Sequence, residues 1–195
     1  MWRRLRLFDH FSLVAPFYDR VIRTKAIDRL RVLADLAEDD FVLDAGGGTG
    51  RIAQELRPHV RGICVLDRSL GMLAQAMAKD GLISCLGGVE ALPFADHRFA
   101  KIVAVDTFHH FRQQDAAAAE LLRVLAPGGR LVIEEPDIRQ FSVKLVALGE
   151  TLALMRSHFH PPAALVHYFS TPVTRVRVVE QAPNYWVVVE KDPSS

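Results

Sequence analysis

Apolar positions along the chain repeat with two different periods. Between Phe17 and Ala37 they fall at Val21, Ile22, Ile27, Leu30, Leu33 and Leu36, spacings that return to one face of a 3.6-residue turn and predict a helix. After the polar run "EDD" at 38–40 comes "FVLDA", short, β-branched and bounded by glycine, the pattern of a buried strand. "RIAQELRPHV" resumes helical spacing, and "GICVLD" at 62–67 is a second buried strand. Strand, glycine turn, helix, strand is a βαβ unit, and the alternation continues. "LGMLAQAMAKDG" predicts a helix, "LISCLGG" a short strand, "FAKIVAVD" at 99–106 a strong strand and "DAAAAELLRVL" at 115–125 a helix. "APGG" reads as a stop and turn before the strand "RLVIEE", and "VKLVALGETLALM" at 143–155 as another helix. The last apolar runs, "VTRVRVVEQ" and "YWVVVEK", are separated only by "APN" and read as an antiparallel hairpin.

Repeated βα steps followed by a hairpin predict an α/β domain: one open, mostly parallel sheet with helices on both faces and an antiparallel pair at one edge. Ligands of such sheets bind at the carboxyl ends of the strands, where the strand order reverses. The 195 residues suit a single domain. A net charge of +1 gives no global reason to bind nucleic acid. Cys64 and Cys85 both lie in apolar runs, where a small buried side chain, rather than a metal ligand or disulfide, is expected. No run of about 18 apolar residues predicts a membrane span, and "MWRRLRLFDHF" lacks the features of a signal peptide, so a cytoplasmic protein is expected. That same stretch sets Arg3, Arg4 and Arg6 among Trp2, Leu5, Leu7 and Phe8, which suits either a helix packed on its own domain or peripheral contact with an anionic membrane.

The chemistry concentrates after the first strand. "VLDAGGGTG" carries Gly46, Gly48 and Gly50 at a spacing of two, a turn that lets backbone approach a nucleotide-like ligand without Cβ interference. A dinucleotide fingerprint fits only with the frame slid to Gly48, Gly50 and Ala53. Against it, the pyrophosphate would meet the carboxylate of Asp44, whereas a cofactor bearing a cationic amine would be attracted. Asp67, at the end of the second strand, can accept the two hydroxyl hydrogens of a ribose or cap the helix that starts near Ser69.

"VLDAGGGTG", "VLDRSLGMLAQA", "GGVEALPFADHRFAKIVA", "VDTFHHF" and "ELLRVLAPGGRLVIEEPD" together resemble the class I S-adenosylmethionine-dependent methyltransferases. The likeness is to the small-molecule branch that includes the ubiquinone and menaquinone biosynthesis methyltransferases. The resemblance implies a Rossmann-like sheet of seven strands, with a core over 41–137, an N-terminal helical segment over 1–37 covering the site, a helical acceptor-side region over 138–170 and the hairpin over 173–191. It further implies that Gly46, Gly48 and Gly50 pass under the methionine and ribose of S-adenosylmethionine, that Asp44 faces its amino group and that Asp67 holds the ribose. Arg68 and Met72 would flank adenine, although Met72 equally suits the core at helical spacing; the backbone of Val89 would meet the adenine edge, and the backbone around Asp106 and Thr107 would line the methionine portion. The family usually offers adenine a carboxylate where this chain has Gly88; Glu90 is then a candidate replacement, or a capping or surface residue.

A sulfonium methyl is already activated, so the expected task is to align a nucleophile and exclude water. His109 or His110 would serve as base if the acceptor must lose a proton, and either suits a packing role instead. Tyr18, in "APFYDR", resembles the segment that closes over the cofactor in this branch, or is core. "DTFHHF" lacks the Asn/Asp-Pro-Pro-aromatic signature of nucleobase amino-methyltransferases, and no carboxylate cluster suggests a metal. The expected acceptor is a small organic molecule, apolar or aromatic, methylated on C, N or O. A cofactor-binding protein without turnover and an NAD-dependent oxidoreductase are the alternatives.

Overall fold

The computed structural model describes residues 27–141, 143–144 and 157–195. Seven strands form one sheet: β1 (Phe41–Ala45), β2 (Gly62–Asp67), β3 (Leu82–Leu86), β4 (Phe99–Val105), β5 (Leu125–Pro136), β6 (Thr174–Gln181) and β7 (Asn184–Lys191). Their order is β3-β2-β1-β4-β5-β7-β6. The first five run parallel, and β7 enters antiparallel between β5 and β6, as the alternation followed by a hairpin predicts. The chain winds outward from β1 to β3, then returns to the other side at β4, so the crevice beyond the carboxyl ends of β1 and β4 is the switch point.

Helices cover both faces. Helices α1 (Ile27–Ala34), α2 (Arg51–Leu56) and α3 (Leu70–Met77) press Leu30, Leu33, Ile52, Leu56 and Leu73 against Val42, Ile63, Val132 and Trp186. On the other face α4 (Gln114–Val124) and α5 (Pro162–Phe169) bring Leu121, Leu165 and Phe169 to Leu43, Ile102, Leu131 and Val187. The alternation of β5 thus sends successive residues into different cores, and each fully buried side chain of this size contributes about 1.5–3 kcal/mol.

Three local expectations are corrected. "APGG" is not a turn ahead of the strand but part of it: Phe99 pairs with Leu125 and Lys101 with Arg130, so Ala126 to Gly129 bulge out opposite Ala100 while β5 runs on from Leu125. Gly128 has φ +73°, and a Cβ at Gly129 would lie 2.7 Å from Ala126 O, so the bulge needs both glycines. The helix predicted over "RIAQELRPHV" stops at Leu56 and tightens into a 3-10 turn over Arg57–His59, around Pro58. Cys85 is only half-buried, because β3 is an edge strand. Of the predicted N-terminal helix the structure describes Ile27–Ala34. Tyr18, the basic-aromatic start and most of the helix expected over 143–155 lie outside the described residues.

Candidate active site

The glycine loop leaves β1 and turns back against two neighbouring strand ends. Gly46 N and Gly47 N both donate to Leu66 O of β2, at 2.8 and 3.1 Å. Gly46, Gly48 and Gly50 all have positive φ, between 56° and 71°. At Gly46 a Cβ would run into Thr107 Oγ1, which shows how tightly the loop packs on the turn after β4. Gly47, absent from the predicted set, is as constrained: its missing side chain leaves the space filled by the Asp44 carboxylate.

Asp44 is 1% exposed. Burial pushes its pKa from 3.8 to about 7, with the positive charge of Arg51 opposing and Asp67 reinforcing the shift. Among the described residues its Oδ2 is buried without a hydrogen-bond partner. An unsatisfied buried carboxylate oxygen costs free energy, and its position beneath a loop of bare backbone is what a donor-bearing ligand would satisfy.

Of the two roles expected for Asp67, the cap falls to its neighbour. Ser69, not Asp67, is the N-cap of α3, its hydroxyl accepting from Met72 N at 3.3 Å. Asp67 instead accepts from Gly48 N at 2.9 Å and from Ser69 N at 2.7 Å, tying the glycine loop to the start of α3. The carboxylate thus stands at the carboxyl end of β2, against the glycine loop. Met72 Sδ lies 3.9 Å from where a Gly48 Cβ would be, placing the apolar side chain beside loop and carboxylate. Gly87 N donates to Asp67 O at 2.9 Å and holds the loop after β3 to the same corner. There Val89 is buried in the core, and Arg68 is exposed. Glu90 reaches back across Gly88: a Cβ at 88 would meet Glu90 Oε2 at 2.8 Å, and Glu90 Oε1 accepts from Arg112 N at 2.9 Å. The Glu90 carboxylate therefore stands beside the place where a side chain at 88 would begin.

Beyond β4 the turn Phe108–His110 is held from below by Glu135, which the sequence reading did not single out. Its Oε1 accepts from Thr107 N at 3.0 Å and Phe108 N at 2.8 Å, and its Oε2 lies 2.7 Å from His109 Nδ1. Asp106, with φ +53°, begins this turn and donates its N–H to Glu134 O at 2.9 Å. Glu134 points to the opposite face, takes a bond from Asn184 Nδ2 at 2.7 Å, and is pushed by burial to a pKa of about 7. The signal for both acids is present in the sequence: two glutamates interrupt an apolar strand at the end where ligands of such sheets bind.

The two histidines differ. His109 is 2% exposed and stacks on Phe159 with ring centroids 4.2 Å apart. His110 sits with its Nδ1 3.1 Å from Ser157 Oγ; burial, then His109 and Arg68, lower its pKa to about 3, so it is neutral at physiological pH. The segment 157–160 docks on this turn, His158 N donating to His109 O at 2.7 Å and His160 Nε2 lying 2.7 Å from Gln114 Oε1. Phe108, fully buried in the core, packs edge-on against Tyr168, while Phe159 lies on His109.

Asp44, Gly46, Gly48, Gly50, Asp67, Met72 and Thr107 are thus brought together, with Glu90, His109 and His110 at the margin. Among the described residues no group of histidine, cysteine and carboxylate side chains is arranged to hold a metal. No described helix is long and apolar enough to cross a membrane.

A family described as a methyltransferase domain matches residues 43–133, the stretch that carries the glycine loop and the turns after β2, β3 and β4. The chain is 36% identical over 129 residues to a demethylmenaquinone methyltransferase of Corynebacterium urealyticum, covering 66% of this chain and 54% of that protein. It is 33% identical over 153 residues to the enzyme of the same name from Thermotoga maritima, covering 72% of this chain and 66% of the relative. The chain thus spans about half to two thirds of the length of these curated relatives. In fold it matches the YcgJ protein of Bacillus subtilis with a TM-score of 0.75 at 17% identity, over 87% of this chain and 99% of the other. With the matched domain, the named relatives and the seven-stranded sheet in agreement, the chain belongs to the class I S-adenosylmethionine-dependent methyltransferases.

Proposed function

We propose that the protein transfers the methyl group of S-adenosylmethionine to a small aromatic acceptor, of the quinol type suggested by the names of its relatives. The buried, unpartnered Oδ2 of Asp44 beneath the glycine loop carries this reading, because it suits the amino group of such a cofactor and repels a pyrophosphate. The same carboxylate argues against an NAD-dependent oxidoreductase.

In this reading Asp44 orients the methionine end, Asp67 accepts the ribose hydroxyls and Met72 contacts adenine. Glu90, lying over Gly88, accepts from the adenine amine, the N–H of Val89 meets the ring edge, and Arg68 shields it from solvent. Bound there, the cofactor supplies an activated methyl group. The chain supplies alignment and exclusion of water. Glu135 fixes the turn 107–109, and Thr107 closes on Gly46. His110, held neutral by burial, is too weak a base to deprotonate a phenol-like acceptor and orients it by hydrogen bonding instead. His109 braces the turn through Glu135 and Phe159. The half-buried rings of Phe159 and Tyr168 favour an acceptor with an aromatic face. Tyr18 and the N-terminal segment are proposed to close the site, and the protein to work in the cytoplasm or at a membrane surface where apolar quinols reside.

Incubation with methyl-labelled S-adenosylmethionine and a reduced demethylated naphthoquinone tests the proposal. Label is expected in the naphthoquinol. Tight cofactor binding with no transfer to any member of a broad phenol, quinol and amine panel would instead identify a binding protein.

A further inference from the structure

One donor at the site is left without an acceptor. Arg51 opens α2 directly after the glycine loop, and the residue is half-buried. Its Nε is shielded from solvent and, among the described residues, has no hydrogen-bond partner. Its charge acts on two buried acids, as the leading opposition to the upward shift at Asp44 and as a further one at Glu134. The junction of loop and helix therefore holds an unsatisfied acceptor, Asp44 Oδ2, and an unsatisfied donor, Arg51 Nε. Two such orphans in one small region are uncommon in folded proteins. A ligand with a cation and an anion on one carbon, the zwitterionic end of an α-amino acid, satisfies both at once.

We propose that Arg51 binds the carboxylate of the cofactor's amino-acid end while Asp44 binds its amine, so that the pair reads the zwitterion. This rests on the cofactor reading above. Charge balance favours it: Asp67 acts on Asp44 and reinforces the upward shift there, so a carboxylate entering beside this acidic pair needs a cation. Lys79 also acts on Asp44, but its ammonium donates to Thr49 O at 2.9 Å. The planar guanidinium suits a carboxylate by paired N–H donors. Arg51 thus acts as a specificity residue for the aminoacyl group, with no part in moving the methyl.

Equilibrium titration of the whole protein with S-adenosylmethionine and with its decarboxylated form separates the possibilities, since the second keeps the sulfonium and amine and lacks only the carboxylate. The wild type is expected to prefer the complete cofactor by roughly 30-fold, the worth of a charge-assisted hydrogen bond. Arg51→Met should lose that preference by weakening only the complete cofactor, and Arg51→Lys should retain part of it. A preference unchanged in Arg51→Met, or an equal loss for both ligands, overturns the assignment. If Arg51→Met does not fold, the same criteria apply to Arg51→Gln. A wild type that binds neither ligand would refute the cofactor reading itself, a result distinct from failure at Arg51.

Discussion

Glu135→Ala should lower the unfolding free energy by about 3–9 kcal/mol. The side chain is 2% exposed and serves three groups of one turn: Thr107 N, Phe108 N and His109 Nδ1. Removing it leaves two backbone N–H groups and a ring nitrogen buried without that acceptor, each costing about 1–3 kcal/mol. The total approaches the net stability of an ordinary domain, about 5–15 kcal/mol. Glu135→Gln keeps one carbonyl oxygen for the backbone donors but turns an amide N–H₂ toward the histidine or away from it, so an intermediate loss is expected. Urea denaturation measures both. An Ala variant within about 1 kcal/mol of wild type would show that the turn after β4 is held by other contacts.

Asp44→Asn should separate stability from binding. Folding raises the carboxyl pKa from 3.8 to about 7, so its ionisation opposes the folded state. That penalty is absent below pH 3.8 and fully present above pH 7, where it amounts to up to about 4 kcal/mol. Asparagine, nearly isosteric and uncharged, escapes it, and the ligand-free variant is expected to melt higher than wild type at pH 8. Affinity should move the other way. Losing one partner of a buried charge pair costs about 2–3 kcal/mol, roughly a hundredfold in Kd. Because the wild-type carboxyl must ionise to hold an ammonium, its affinity should fall toward tenfold per pH unit below pH 7. Near pH 7 binding should release about half a proton, seen as a buffer-dependent heat. The variant should show neither effect. A variant that is both less stable and unchanged in affinity would place Asp44 in the framework alone. The opposing trends express a trade often seen where a functional group is held in an unfavourable setting.

The central strands were legible because they are buried on both sides and read as apolar runs: β2 falls on "GICVLD" without adjustment. The glycine loop was legible because bare backbone near a ligand needs glycine, and Asp44 because a carboxylate interrupts an apolar strand. What escaped depends on contacts across the chain. Glu135 meets its partners from 26 to 28 residues away, and no local spacing announces that a strand-end acid will brace a distant turn. Gly47 looked like a spacer between Gly46 and Gly48, and its constraint comes from a side chain folded back beneath it. The closeness of the Glu90 carboxylate to Gly88 is likewise spatial, resting on how the loop after β3 folds over itself. "APGG" misled because proline and glycine punctuate turns far more often than they bulge a continuous strand. Asp67 was ambiguous for a different reason: capping and ribose binding ask for the same carboxylate, and only the neighbouring serine decides which group caps.

A calorimetric titration of the wild-type protein near pH 7.5 with S-adenosylmethionine and, separately, with NAD tests the central claim most directly. One-site binding of S-adenosylmethionine, with at least a hundredfold weaker response to the dinucleotide, is the result expected from a carboxylate set beneath the glycine loop. Equal binding of both, or binding of the dinucleotide alone, would contradict it.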